Sequence, residues 1–243
     1  MKRILTLVTL FFAINSYAQM TKPAPLNNTS TVVGEDGNKY AYEVWRSLLK
    51  TNMYGMKSQP DGSFLLYRYT EEQAAKALEV KKERIKTMAK PMPSPAFTEG
   101  DLFKGDRFVS LDKTKFDLKT NTGKIYIFNF WFINCPPCKE EIPELNELVK
   151  QYKDNPDVVF LGIALDPASD LRTFLKTTPF NYNIIPDGRY FSQKYGVKSY
   201  PTHAVVGKDG LIKFSGVGLA SNTIYWLEKT IKEQVGEAGE SGK

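Results

Sequence analysis

Apolar and polar positions change period several times along the chain, and each change marks an element. Residues 125–131 (IYIFNFW) form a near-continuous apolar run of strand length, and residues 158–165 (VVFLGIAL) form another. Runs of this kind belong to strands buried on both faces. Between them, Ile142, Leu145, Val149 and Tyr152 recur at helical spacing, which predicts an amphipathic helix over 136–152 with one buried stripe. The alternation continues with a helix over 169–176, a short strand at 183–185 and a helix over 189–195. Strands at 203–206 and 211–217 follow, parted by a Gly-Lys-Asp-Gly turn, and a last helix covers about 222–234. Strands alternating with helices predict an α/β fold, a sheet flanked by helices, and the terminal hairpin makes that sheet mixed.

The pattern before residue 94 is different. Residues 31–45 place Glu-Asp-Gly-Asn between β-prone runs, a hairpin signal, and residues 62–69 form another short strand candidate. A helix over 71–90 follows, with Ala74, Leu78, Ile85 and Met88 near helical spacing and Thr70 placed to cap it. Its Lys76, Lys81, Lys82, Arg84, Lys86 and Lys90 form a basic face that reads as solvated surface. Lys-Pro-Met-Pro-Ser-Pro at 90–95 cannot continue a helix, because proline lacks the amide and restricts its predecessor. The expected division is therefore an N-terminal region at 19–93 of unknown role, a main domain at 94–235 and a flexible tail at 236–243.

The first 18 residues have a basic start, an apolar stretch at 4–14 and small residues at Ser16 and Ala18, the form of a secretory signal cut after Ala18. That stretch is too short for an ordinary membrane span, and no later segment reaches the length needed, so no transmembrane anchor is expected after cleavage. With 42% hydrophobic and 25% charged residues the chain is globular. The net charge of +6 is mild, Lys2 and Arg3 supply two of it, and no arginine-rich or aromatic-interleaved patch points to nucleic acid.

Cysteine usage sharpens this picture. The chain has two cysteines, Cys135 and Cys138, in Asn-Cys-Pro-Pro-Cys-Lys, between the apolar run and the amphipathic helix. An exported protein commonly uses disulfides as staples, but a bridge across two residues closes too small a loop to restrain the unfolded chain, so its value is chemical. A helix N-terminus offers unpaired N–H groups and partial positive charge, both of which favour thiolate. With Cys135 as N-cap, Pro136 and Pro137 take the first two helical positions, where a missing amide costs little. Pro137 withholds the second-position amide, so the Cys135 sulfur relies chiefly on the amide of Cys138. Fewer donors imply a less acidic thiol and a more reducing pair. Cys138, one turn inside, is expected to be less exposed and to act as the resolving thiol.

Glu141 lies three residues past Cys138 on the same helix face. It reads either as an ordinary surface glutamate or as a group that passes protons to the thiols. His203, the one histidine, reads as structural more readily than catalytic. Two cysteines and one histidine fall short of a closed structural zinc site, and no metal is expected.

Phe130-Trp131, Cys135-Pro-Pro-Cys138, Pro143 and Tyr200-Pro201-Thr202, taken together, resemble the thioredoxin superfamily, and within it the TlpA/ResA-like bacterial branch, over about residues 94–235. The resemblance implies a thioredoxin-like sheet, an active-site glutamate at Glu141, a cis-proline at Pro201 facing the dithiol, and substrate contacts at Trp131, Pro136, Pro137, Tyr200, Pro201 and Thr202. Asn129 stands where thioredoxin itself has a buried acid, and Asn134 where many relatives have tryptophan. The implied activity is periplasmic thiol–disulfide exchange, reducing protein disulfides, with the Cys135–Cys138 disulfide in place of a cofactor and an upstream membrane thiol reductant as electron source. Cytochrome c maturation is one pathway such a protein serves. Two other readings stay open on the residues alone: copper delivery through Cys135, Cys138 and His203, since soft thiolates suit Cu(I), and a binding module whose disulfide is inert.

Overall fold

The computed structural model of the protein describes residues 25–119 and 123–236. The expected signal at 1–18, and the expected tail apart from Gly236, lie outside the described residues. The chain divides into two compact units between Val80 and Lys81.

The first unit holds β1 (Val32–Gly34), β2 (Lys39–Tyr40), α1 (Tyr42–Lys50), β3 (Tyr54–Ser58) and β4 (Phe64–Arg68), and the division falls inside α2 (Glu71–Thr87). Its strands form one sheet in the order β2-β1-β4-β3, with β1 parallel to β4 and the other pairs antiparallel. Val32, Trp45 and Leu66 are its buried core. The hairpin read over 31–45 is right in its turn and too long in its second arm, because the chain leaves β2 at Ala41 and enters α1. Trp45, Leu48 and Leu49 at helical spacing pack against that core, and Glu43 in the first turn with Lys50 in the last complements the helix dipole. Thr70 caps α2 as expected and does so reciprocally. The Gln73 amide donates to Thr70 Oγ1 at 3.2 Å and the Thr70 amide to Gln73 Oε1 at 2.9 Å.

The second unit adds β5 (Arg107–Val109), β6 (Lys115–Asp117), β7 (Ile125–Trp131), α3 (Pro136–Gln151), β8 (Val158–Ala164), α4 (Ala168–Thr177), β9 (Asn183–Ile185), α5 (Arg189–Tyr195), β10 (Thr202–Val206), β11 (Ile212–Val217) and α6 (Thr223–Val235). Five strands form the main sheet in the order β11-β10-β7-β8-β9. β7, β8 and β9 run parallel, whereas β10 is antiparallel to both neighbours. The sheet is mixed and flanked by helices, as the alternation predicted. All seven residues of β7 are buried, and its period-two alternation sends them to opposite cores. Ile125, Ile127 and Trp131 join Cys135, Cys138, Ile142, Leu145, Leu227 and Ile231, residues of α3 and α6 among them. Tyr126, Phe128 and Phe130 join an aromatic layer with Phe97, Phe103 and Phe108. The proline-rich segment runs beside β11: the Val217 amide donates to Met92 O at 2.9 Å, and Lys90 lies over the rings of Phe214 and Trp226 while paired to Glu99.

Candidate active site

The site is built where β7 gives way to α3. After Trp131 the chain turns back on itself, with the Cys135 amide donating to Phe132 O at 3.2 Å and the Ile133 amide donating to Asp166 Oδ2 at 2.7 Å. Asp166 therefore fixes the approach to the first cysteine from the end of β8, a role no motif in the sequence announced. Cys135 is the N-cap of α3, with extended backbone, and Pro136 and Pro137 fill the first two helical positions. Cys135 and Cys138 form a disulfide. The Cys138 amide donates to Cys135 Sγ at 3.2 Å, which is the donor the sequence left to that sulfur.

Exposure does not separate the two cysteines as expected, since Cys135 is 2% and Cys138 1% exposed. Their difference in the disulfide state is one of position: Cys135 sits at the helix entrance and Cys138 within the first turn. Pro136 and Asn134 are exposed and Pro137, Phe132 and Ile133 half-buried around them.

The peptide bond from Tyr200 to Pro201 is cis. Thr202 pairs with Phe130 across β10 and β7, so the Tyr200-Pro201 loop lies level with the turn before Cys135. Tyr200 meets Phe132 edge to face at 5.5 Å, and the Pro201 carbonyl accepts from Gly218 N–H at 2.8 Å. Of the residues implied as substrate contacts, Trp131, Pro201 and Thr202 are buried. Trp131 is wholly buried, against Phe174 and Phe180, because its place in β7 puts it on the core face with Ile125 and Ile127. Thr202 is buried as well, its hydroxyl donating to Ser199 O at 2.8 Å. Phe132 and Ile133, which the sequence reading passed over, supply the accessible apolar surface next to Cys135 where Asn134 offers none.

Glu141 is not a surface glutamate. It is 3% exposed, and it accepts from Asn129 Nδ2 at 2.8 Å while His203 Nε2 lies 3.1 Å from its carboxylate. Register explains the meeting. His203 sits opposite Gly216 on one side and Asn129 on the other, and Asn129 sits opposite Gly162, so one row across the sheet reads Gly-His-Asn-Gly. The glycine at 162 leaves space in that row: a Cβ there would meet Ile184 Cδ1 at 2.9 Å and Trp131 Nε1 at 3.3 Å. Burying a carboxylate costs several kcal/mol unless donors replace water, and each hydrogen bond to a charged group returns about 1.5–3 kcal/mol. Asn129 Oδ1 and His203 Nδ1 are left without partners. Burial, and after it the nearby charge of Glu141, push the Tyr182 phenol well above its ordinary range. Among the described residues no three His, Cys, Asp or Glu side chains are grouped to hold a metal.

Residues 95–215 match the AhpC/TSA family. Over that span the chain is similar to the thioredoxin-like AhpC/TSA family. Its similarity to curated thioredoxin-like proteins is moderate. Thioredoxin-like protein YneN of Bacillus subtilis is 32% identical over 111 residues, 45% of this chain and 65% of that one. Thiol-disulfide oxidoreductase ResA of Bacillus thuringiensis subsp. konkukian is 31% identical over 103 residues, 42% of this chain and 60% of that one. The chain thus spans 60–65% of the length of these relatives. Among solved structures, a Chlorobium tepidum protein assigned as thiol:disulfide interchange protein DsbE superposes with a TM-score of 0.52 at 23% identity, covering 57% of this chain and 99% of that one. A Bacteroides thetaiotaomicron protein assigned as a protein disulfide isomerase gives 0.53 at 20%, covering 61% and 96%. These likenesses establish the thioredoxin fold.

Proposed function

We propose that the chain is an exported thiol–disulfide oxidoreductase that reduces protein disulfides by exchange at Cys135 and Cys138. The observation that carries the reading is the disulfide itself, set at the N-terminus of α3 with the Cys138 amide on the Cys135 sulfur. The names of the curated relatives support it. In the dithiol state the Cys135 thiolate attacks one sulfur of a substrate disulfide; a Cys135–substrate bond forms, the substrate bond breaks and one substrate thiolate leaves. Cys138 gives its proton to Glu141 and attacks the Cys135 sulfur, expelling the second substrate thiolate and closing the Cys135–Cys138 bond. Two electrons pass to the substrate, whose thiolates take up protons from water.

An upstream thiol reductant, held at the membrane, returns the pair to dithiol. The backbone at Tyr200 and Pro201 holds the substrate segment beside the sulfurs, and Pro136, Pro137, Phe132 and Ile133 border it. Export to the periplasm rests on the signal-like pattern of residues 1–18; no helix among the described residues is long and apolar enough to cross a membrane. Service in cytochrome c maturation follows from family likeness alone. The catalytic domain is taken to span 94–235, with 19–93 an N-terminal extension of unknown role.

The test is a redox titration of the full chain in thiol buffers with alkylation of free cysteines. The reading expects one reversible two-electron transition, together with catalysed reduction of a protein disulfide. Cysteines that stay oxidised across the whole range, or a pair that cycles without catalysing exchange, would reject it.

A further inference from the structure

The buried row under the disulfide contains a group that the proposed exchange does not use. His203 is 0% exposed, reaches the Glu141 carboxylate through Nε2, and has no partner at Nδ1. Asn129 shows the same asymmetry: its amide N–H bonds Glu141 while its carbonyl oxygen has no partner. An unpaired acceptor is tolerated in an interior better than an unpaired N–H. The arrangement therefore favours a proton on Nε2, aimed at the carboxylate, over a tautomer with a bare Nδ1–H. Two side chains from adjacent strands thus turn their donors to one carboxylate and leave their acceptors empty.

We propose that His203 is a positioning residue for thiol–disulfide exchange: with Asn129 it holds the Glu141 carboxylate as an oriented anion one helical turn past Cys138, ready to take the resolving thiol's proton. The proposal rests on the reading of the pair as an exchange site. It also accounts for a histidine on a core strand in place of an aliphatic side chain. Ile127 and Val205, on the same face of β7 and β10, show what that core otherwise takes.

The groups that bear on Glu141 are few. α3 brings Cys135 and Cys138, β10 brings His203, and Tyr182 stands before β9. α6 faces the core with Leu227 and Ile231, and β8 and β11 contribute Gly162 and Gly216 to the row. Of these, Tyr182 is the group whose ionisation already reflects the charge of Glu141.

Two readouts separate this proposal from the exchange reading. The first needs no activity. In the full chain labelled with 15N-histidine and 13C-glutamate, the wild type should show His203 as the neutral Nε2–H tautomer. His203→Phe should raise the pH at which Glu141 takes a proton by about one unit or more, the size of one hydrogen bond to a charged group. His203→Gln, which keeps an N–H donor, should stay near wild type. The second is the resolving step, followed as decay of the mixed disulfide against pH. Its acid limb should move upward in His203→Phe and return in His203→Gln.

An Nδ1–H tautomer in the wild type overturns the proposal even if His203→Phe does not fold. So does a Glu141 titration unmoved in His203→Phe, or a His203→Gln that behaves like His203→Phe. If the titrations shift as expected but no exchange is catalysed by any form, the exchange reading fails and the positioning of Glu141 stands.

Discussion

Two successive turns of α3 treat negative charge in opposite ways. At the helix entrance the Cys135 sulfur has the amide of Cys138, while Pro136 and Pro137 withhold theirs. One turn further on, where the backbone amides are already engaged in the helix, Glu141 is buried and is supplied by two side chains from β7 and β10. The contrast fits the roles proposed for the two groups. A sulfur that alternates between thiolate and disulfide becomes a poor reductant if its thiolate is held too well. A carboxylate that accepts a proton in a dry interior must begin as the anion, and that requires donors fixed in place.

The largest effect expected from breaking this contrast is a division of labour between the sulfurs. Cys138→Ser should accumulate mixed disulfides with exported proteins and Cys135→Ser should accumulate none, read on non-reducing gels after acid trapping. Equal trapping by the two variants would reverse the assignment of Cys135 as the attacking thiol. Next in size, Glu141→Gln removes the proton acceptor and keeps the shape. The resolving step should slow about 100-fold, the low end for a lost general base, with its pH dependence flattened between about pH 5 and 10 around the ordinary thiol range. An unchanged profile in a folded variant would leave Glu141 with a purely structural role.

A smaller effect comes from giving the row a second carboxylate. Asn129→Asp places like charges together in the interior, so one of them takes a proton at a raised pKa. A carboxylate whose folded pKa lies above its unfolded value binds more protons when folded. The variant should therefore lose stability as pH rises through the ordinary carboxylate range, and recover as pH falls toward 4. At neutral pH the loss should be about 2 kcal/mol for an upward shift of about 1.5 units, measured by denaturant unfolding at the two pH values. Equal losses at both pH values would mean that shape, and not charge, matters at position 129.

How far the sequence announces this site depends on the range of the interaction. β7, β9 and α5 are observed over the residues expected, because a run of buried apolar residues or a short periodic segment ends where its local pattern ends. The start of α3 is equally local, set by an N-cap and two prolines. α1 was hidden by the stronger turn signal just before it, and β3 by a Tyr-Gly-Met-Lys-Ser sequence that pairs on one side alone with β4. The bond between His203 and Glu141 spans 62 positions and depends on the register of β10 against β7, which no periodicity encodes. Trp131 misled for the opposite reason. The resemblance implied a substrate contact there, although the alternation of β7 already placed it with Ile125 and Ile127 on the core face. Asp166 and the Phe132-Ile133 ledge were beyond reach because each depends on how a turn closes in space.

The smallest expected effect tests the central claim most directly, that α3 gives its sulfur few donors by placing proline at its first two positions. The measurement is the thiolate absorbance of Cys135 against pH in the reduced protein, wild type beside Pro137→Ser, with the fold checked by thermal unfolding. Serine restores an amide at the second helical position. One added hydrogen bond of about 1 kcal/mol should lower the Cys135 pKa and move the pair toward the oxidising side by roughly 20 mV. A Cys135 pKa that stays where it was or rises, in a folded Pro137→Ser protein, would contradict the account.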